Sequence, residues 1–163
     1  MGRTAKAGGS IPAIDPRYAL FRLRVGRSRV HRFGVFALEP IPKGKKVIEY
    51  TGERISRAET TRRLLRVCRQ RRNRRFYLVR LNPYWAIDGE RGGSGAELIN
   101  HSCEPNMLLV NIRNHAFCVT RRRIRKGEEL AYDYAFPSDA FRVPCRCGAR
   151  ACRGTINVRE ASR

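Results

Sequence analysis

No apolar run in the 163-residue chain is long, and turn signals cut the sequence into short β-rich pieces. "YALFRLRVGRS" (18–28) alternates apolar and basic residues, as a half-buried strand does. Two further runs, 33–38 and 47–50, flank "PIPKGK", and "FYLVRL" and "YWAID" flank Asn82-Pro83. "MLLVNIR" and "AFCVTRRRI" predict a hairpin around Asn114 with Cys118 facing the core, and "IRKGEELAYDYAF" predicts a turn leading into a strand. The exception is 56–75, where Ser56 and Glu59 form a capping-box pattern and Ala58, Thr61, Leu64, Leu65 and Cys68 share one helical face. Short strands, one helix and no strand–helix–strand rhythm imply a mostly β fold of small sheets.

Six cysteines then need a role: 68, 103, 118, 145, 147 and 152. Cys68 and Cys118 sit at apolar-patterned positions and read as core thiols. "CRCGARAC" spaces Cys145, Cys147 and Cys152 so that neighbouring sulfurs, poorly placed to pair with each other, can face one ion. Three thiolates leave a tetrahedral zinc site one ligand short, and Cys103 is the best candidate for the fourth. Four thiolates leave no open position for water, so such a zinc is structural. The first residues lack the apolar core of a secretory signal, which favours a reducing compartment and metal over disulfides.

The charge is extreme. Against 14 acidic residues stand 35 basic ones, 30 of them Arg, for a formal net charge of +21. Such a field attracts polyanions, and nucleic acid is a reasonable partner, although an Arg-rich soluble surface reads the same way. The run from Arg69 to Arg75 is either a solvated face or a phosphate contact. No run of about 18 apolar residues exists to span a bilayer.

"ELINHSCEPN" (97–106) is the densest chemical segment. Asn100, His101, Ser102 and Cys103 suit a solvated loop, a nucleophile with its base, or pieces of two sites. A hydrolase built on His101 with Ser102 or Cys103 is the weaker reading, because zinc claims Cys103.

Four segments together, "FGVFA", "EYTGE", "INHSCEPN" with "GEELAYDY", and the tail "CRCGARACRG", resemble a SET-domain protein-lysine methyltransferase with its post-SET zinc segment. The stretch from Tyr132 into the tail is most similar to the trithorax-type branch. The resemblance covers about residues 18–158. It implies small curved sheets, a C-terminal pseudoknot, and three regions: an N-terminal arm over 1–17, the SET domain over 18–136 with its helical insert, and the zinc segment and tail over 137–163.

The resemblance also implies roles. S-adenosylmethionine is expected against Arg32, Phe33 and Gly34 of the glycine-rich turn, Tyr77, Asn100 and His101, with Ile156 over the adenine. Tyr134 matches the catalytic tyrosine, Tyr50 a channel tyrosine, and Tyr132 the position that limits how many methyls fit. One structural zinc is expected on Cys103, Cys145, Cys147 and Cys152. The implied reaction is methyl transfer to lysine of a histone or histone-like protein, mainly to the monomethyl stage. The alternative is a basic, zinc-stapled nucleic-acid-binding module with weak or no catalysis.

Two departures stand out: Arg32 replaces the first glycine of the family's G-x-G turn, and Glu97 stands where many members carry Arg. Arg32 is expected to serve there only without positive φ. The small size and Arg-heavy composition suit a bacterial member, in the cytoplasm or on the nucleoid. Action in a eukaryotic cell would place it on chromatin.

Overall fold

The structure is a computed structural model and describes residues 12–69 and 77–159. Ten strands form four small sheets. β1 (Leu23–Arg27) pairs antiparallel with β2 (Phe33–Ala37), Val25 opposite Val35. β3 (Lys46–Tyr50), β9 (His115–Thr120) and β8 (Met107–Ile112) make a three-stranded sheet with β9 central. β4 (Glu53–Ser56), β6 (Trp85–Asp88) and β5 (Leu78–Arg80) make a second, with β6 central. The fourth pairs β7 (Asn100–His101) with β10 (Ala131–Tyr132) in parallel.

Local chemistry explains several of these elements. Alternation along β9 buries Ala116, Cys118 and Thr120 on one side, as period-2 side chains must. The expected β8–β9 hairpin forms, and Arg113 and Asn114 both take positive φ (51° and 63°), the backbone of a two-residue type I′ turn. The first expected strand is shorter than its pattern: only Leu23–Arg27 pairs along a partner. β4 and β7 carry too few residues to show periodicity, and β7 exists because Tyr132 stands opposite His101.

Among the described residues one helix is longer than a turn, α1, which runs Arg57–Arg69. The Glu59 N–H donates to Ser56 Oγ at 3.3 Å, so half of the capping box forms. The Glu59 carboxylate does not return to Ser56; it takes Arg62 and Arg63 (Nε–Oε1 2.7 Å). The buried face also differs from the apolar reading. Ala58 and Thr61 are exposed and Leu65 is 52% exposed, while Glu59, Thr60, Arg63, Leu64 and Val67 are half-buried. The reason is electrostatic: Arg63 reaches Glu53 Oε2 (2.8 Å) and Asp88 Oδ2 (2.6 Å), so an ion network turns the helix onto β4 and β6. The side chain of Cys68 and the run 70–76 lie outside the described residues, as do 1–11.

The core is one apolar cluster shared by the sheets, with Val35, Ile41, Val47, Ile48, Ile99, Met107, Ile124 and Leu130 fully enclosed. Cys118 is within it, and burial pushes its thiol up to about 12. Ile14 packs against the cluster, and the Asp15 N–H donates to Ser94 O at 2.9 Å. No helix among the described residues is long and apolar enough to cross a membrane.

Candidate functional site

β7 and β10 are short but bring two distant segments side by side, and a cavity of about 650 Å³ opens against them. Arg32, Phe33, Tyr77, Asn100, His101 and Ile156 line it, together with Glu97 and Tyr134. Gly34 stands just behind. A Cβ there would collide with the Glu129 carboxylate and come 3.1 Å from Asn100 Nδ2, so only glycine permits this approach.

Asn100 is buried and spends its amide on structure: Nδ2 lies 2.9 Å from Phe33 O, 2.8 Å from Glu129 Oε1 and 3.1 Å from Ser28 Oγ. It therefore clips the β2 turn to β7. His101 Nδ1 accepts the Tyr134 N–H at 3.2 Å, which requires the tautomer with its proton on Nε2. Burial pushes its pKa down, against the Asp133 carboxylate 3.4 Å away, so the ring is held neutral.

Arg32 has φ +29°, in the region a glycine takes freely. The condition stated for Arg32, a backbone without positive φ, is therefore not met; Ser28 N donates to Arg32 O at 3.2 Å across the turn.

Three tyrosines cluster at the cavity, Tyr134 in its wall and Tyr50 and Tyr132 behind it. Tyr132 and Tyr134 have ring centroids 5.0 Å apart, and Tyr134 meets His101 edge-on at 5.5 Å. Tyr134 Oη donates to Ile99 O at 2.9 Å, and Tyr50 Oη to Tyr77 O at 2.8 Å. Burial raises all three phenols well above their ordinary range, so each is a neutral donor and none is a base near neutral pH.

The cysteines converge as well. The sulfurs of Cys103, Cys145, Cys147 and Cys152 all lie within 4.8 Å of one another, Cys103 and Cys145 at 3.8 Å. A tetrahedral zinc with Zn–S bonds of about 2.3 Å requires sulfur separations of about 3.8 Å, so the cluster fits the ion. Burial pushes the Cys145 and Cys103 thiols up. At Cys147 burial is outweighed by N–H groups of Cys103 and Ala149, and its thiol falls to about 7. Cys145 also lines the cavity, so the cluster and the cavity share a wall.

Sequence reasoning missed the groups that join these parts. Asp133, in the middle of "YDY", takes Arg153 in a two-pronged ion pair (2.7 and 2.9 Å), fixing the cysteine segment to β10. Asn106 Nδ2 donates to Glu129 O at 2.8 Å and Asn106 Oδ1 accepts the Ala131 N–H at 2.9 Å. Asn157 locks the tail by donating to Pro137 O and accepting from Val143 N. Asp133, Asn106 and Arg153 lie within the quoted motifs and Asn157 three residues past the last one, but residue type alone gave no sign of their partners.

Comparison with known proteins agrees with this geometry. The family model described as SET domain matches residues 32–135. The histone H3-lysine(4) N-trimethyltransferase ATX1 of Arabidopsis thaliana is 40% identical over 144 residues, 86% of this chain and 14% of that protein. The histone-lysine N-methyltransferase TRX1 of Oryza sativa subsp. japonica is 39% identical over 166 residues, 96% of this chain and 16% of that protein. The histone-lysine N-methyltransferase SETD1A of Homo sapiens is 36% identical over 140 residues, 83% of this chain and 8% of that protein. This chain thus spans a small part of the length of each relative. With paired short sheets, a tyrosine cluster beside an Asn-His strand, and a matching family model over most of the described residues, the chain belongs to the SET-domain family.

Proposed function

We propose that the chain is an S-adenosylmethionine-dependent protein-lysine N-methyltransferase that acts on histones or histone-like proteins and adds mainly one methyl. The observation that carries this reading is the contact between a tyrosine cluster and a cavity wall: Tyr134, 5.0 Å from Tyr132, also lines the cavity with Asn100 and His101.

When bound, the cofactor supplies an electrophilic methyl on a sulfonium. Phe33, Gly34, Tyr77, Asn100, His101 and Ile156 would hold it, and Arg32 would shape the turn beneath it. Methyl transfer is an in-line displacement, so the protein's task is alignment and a neutral amine. Free lysine has a pKa of about 10.4, and an apolar aromatic channel favours the uncharged form by desolvation. Tyr50, Tyr132 and Tyr134 suit that channel because their faces tolerate a cationic lysine while their hydroxyls orient the amine. The proton leaves to water before transfer, since the raised phenols cannot take it.

Zinc on Cys103, Cys145, Cys147 and Cys152 would brace the wall that Cys145 shares with the cavity, and four thiolates give it no catalytic position. The histone class of substrate is supported by the activities after which the relatives are named, and a chromatin location follows if the chain acts in a eukaryotic cell. The net charge of +21 supports an added, sequence-independent attraction to nucleic acid that weakens steeply with salt.

The test is mass spectrometry of unmodified histone H3, nucleosomes and a bacterial nucleoid protein incubated with S-adenosylmethionine. Monomethyl-lysine is expected to dominate. Tyr134→Phe should lose most of the rate, about a hundredfold, if its hydroxyl aligns the reacting groups. Tyr132→Phe should keep the first transfer and raise di- and trimethylation, because removing its hydroxyl frees room for a second methyl. Full activity in Tyr134→Phe with an unchanged product distribution in Tyr132→Phe would show that the site is elsewhere. Salt-sensitive nucleic-acid binding without methylation would instead favour the binding-module reading.

A further inference from the structure

Most enclosed carboxylates here have a cation. Arg63 takes Glu53, Glu59 and Asp88, Arg153 takes Asp133, and Arg122 takes Glu128. Glu129 has neutral donors instead, Ser28 Oγ and Asn100 Nδ2, and Glu97 also lacks a cation: among the described residues no basic side chain pairs with it. It is half-buried and lines the cavity beside Tyr77, Asn100, His101 and Tyr134. Its Oε2 accepts the Gly95 N–H at 2.9 Å, and the Glu97 N–H also favours the charged carboxylate.

The position is narrow. A Cβ on Gly89 would fall 2.7 Å from Glu97 Cβ and 2.9 Å from Tyr50 Oη, so the Glu97 stem and the Tyr50 hydroxyl flank one glycine. A Cβ on Gly93 would lie 2.6 Å from Glu97 Oε2. Two glycines thus leave room for this carboxylate between the cavity and the tyrosines. Enclosing an unpaired carboxylate costs free energy, and burial does push Glu97 above the usual carboxylate range. Arg32 and Arg146 also line the cavity, so the attraction Glu97 offers a cation is local to its own wall, beside Tyr77 and Tyr134.

On the methyltransferase reading, on which this inference rests, the two cofactor forms differ by one methyl and one charge. In the transfer the C–S bond breaks with its electron pair staying on sulfur, which becomes a neutral thioether. The amine lone pair forms the new C–N bond, and the methylammonium later loses a proton to water. S-adenosylmethionine and S-adenosylhomocysteine share every other group. We propose that Glu97 is a charge-selective cofactor residue, favouring the cationic donor over its neutral product and so limiting product inhibition.

Calorimetric titration of the full chain with each cofactor form tests this. Glu97→Gln keeps the size and an acceptor for Gly95 N–H but removes the charge. It is expected to weaken S-adenosylmethionine about tenfold, or ~1.4 kcal/mol, with S-adenosylhomocysteine changed less than about twofold. Glu97→Asp should keep the donor's preference. An analogue with a charged amine in place of the sulfonium should follow the donor in both variants. Equal losses for donor and product in Glu97→Gln, or no loss for either, would overturn the charge-selective role and leave the methyltransferase reading standing. Failure of the unmodified chain to bind either form would overturn both.

Discussion

Ile41, Val47, Ile48, Ile124 and Leu130 are fully buried in the sheets, whereas no residue of 137–155 is buried. The sheets are held by non-directional apolar contact, at about 25 cal/mol per Å² removed from water. The cysteine segment lacks that surface and relies on directed bonds: four converging sulfurs, the Asp133–Arg153 pair and the amide of Asn157. Directed bonds fail one at a time, so this segment should come loose while the sheets remain folded. Because Cys145, Val143 and Ile156 also line the cavity, its loss would open that cavity without unfolding the core.

The largest separation of the two regions should come from metal removal. Cys147→Ser, or a strong chelator, should release the zinc and make 137–159 protease-sensitive, because structural zinc sites commonly supply about 10 kcal/mol or more of local folding free energy. Far-UV circular dichroism should still report the sheets. Full zinc content in Cys147→Ser would remove the metal from the account of the tail.

Leu130→Ala probes the other side. Leu130 is fully buried, so about 3 kcal/mol of global stability should be lost in denaturant titration. Zinc content per folded chain should not change, and a variant that lost both would show the two regions to be one cooperative unit.

Asp133→Asn should cost about 2 kcal/mol, since it leaves the half-buried Arg153 guanidinium uncompensated. The loss should appear first as faster amide exchange in 137–159. Although burial raises it, Arg153 and the Ala135 N–H hold the Asp133 carboxyl below its ordinary range. A depressed carboxyl stabilises above its unfolded pKa, so this clip should weaken only as pH falls through the acid range below neutrality. Glu97 runs the other way, with burial raising it, and its charge should disappear at a higher pH than that of Asp133.

The smallest effect is expected at the turn joining the regions across the cavity. Arg32 holds φ +29°, and Arg32→Gly should relieve about 1 kcal/mol of strain, partly offset by the greater freedom of glycine in the unfolded chain. A melting temperature unchanged or slightly raised is the expected result. A clear drop would mean that the guanidinium makes a contact worth more than the strain.

Much of the architecture was legible because it is local. Alternation marked β9, the turn pattern marked the hairpin at Asn114, and Ser56 marked the start of α1. The face of α1 was misread because periodicity counts apolar residues, while Arg63 binds three carboxylates contributed by β4, α1 and β6. β4 and β7 were illegible for a different reason: strands this short are defined by their partners, and a two-residue segment has no period to read.

The sequence by itself determined the chemical inventory: three thiols at metal-binding spacing with Cys103 as a candidate fourth, tyrosines at 50, 132 and 134, and Asn100-His101 in one segment. Those follow from covalent order and side-chain type. Only the tertiary structure decided that Tyr132 lies opposite His101, that Cys145 belongs to both cluster and cavity, that Arg32 adopts a glycine's backbone, and that among the described residues Glu97 has no cation beside it. Such facts depend on contacts between residues tens of positions apart, where neither periodicity nor propensity carries information. Burial and unpaired charge are properties of the packed whole, and they are what turn an inventory of groups into a site.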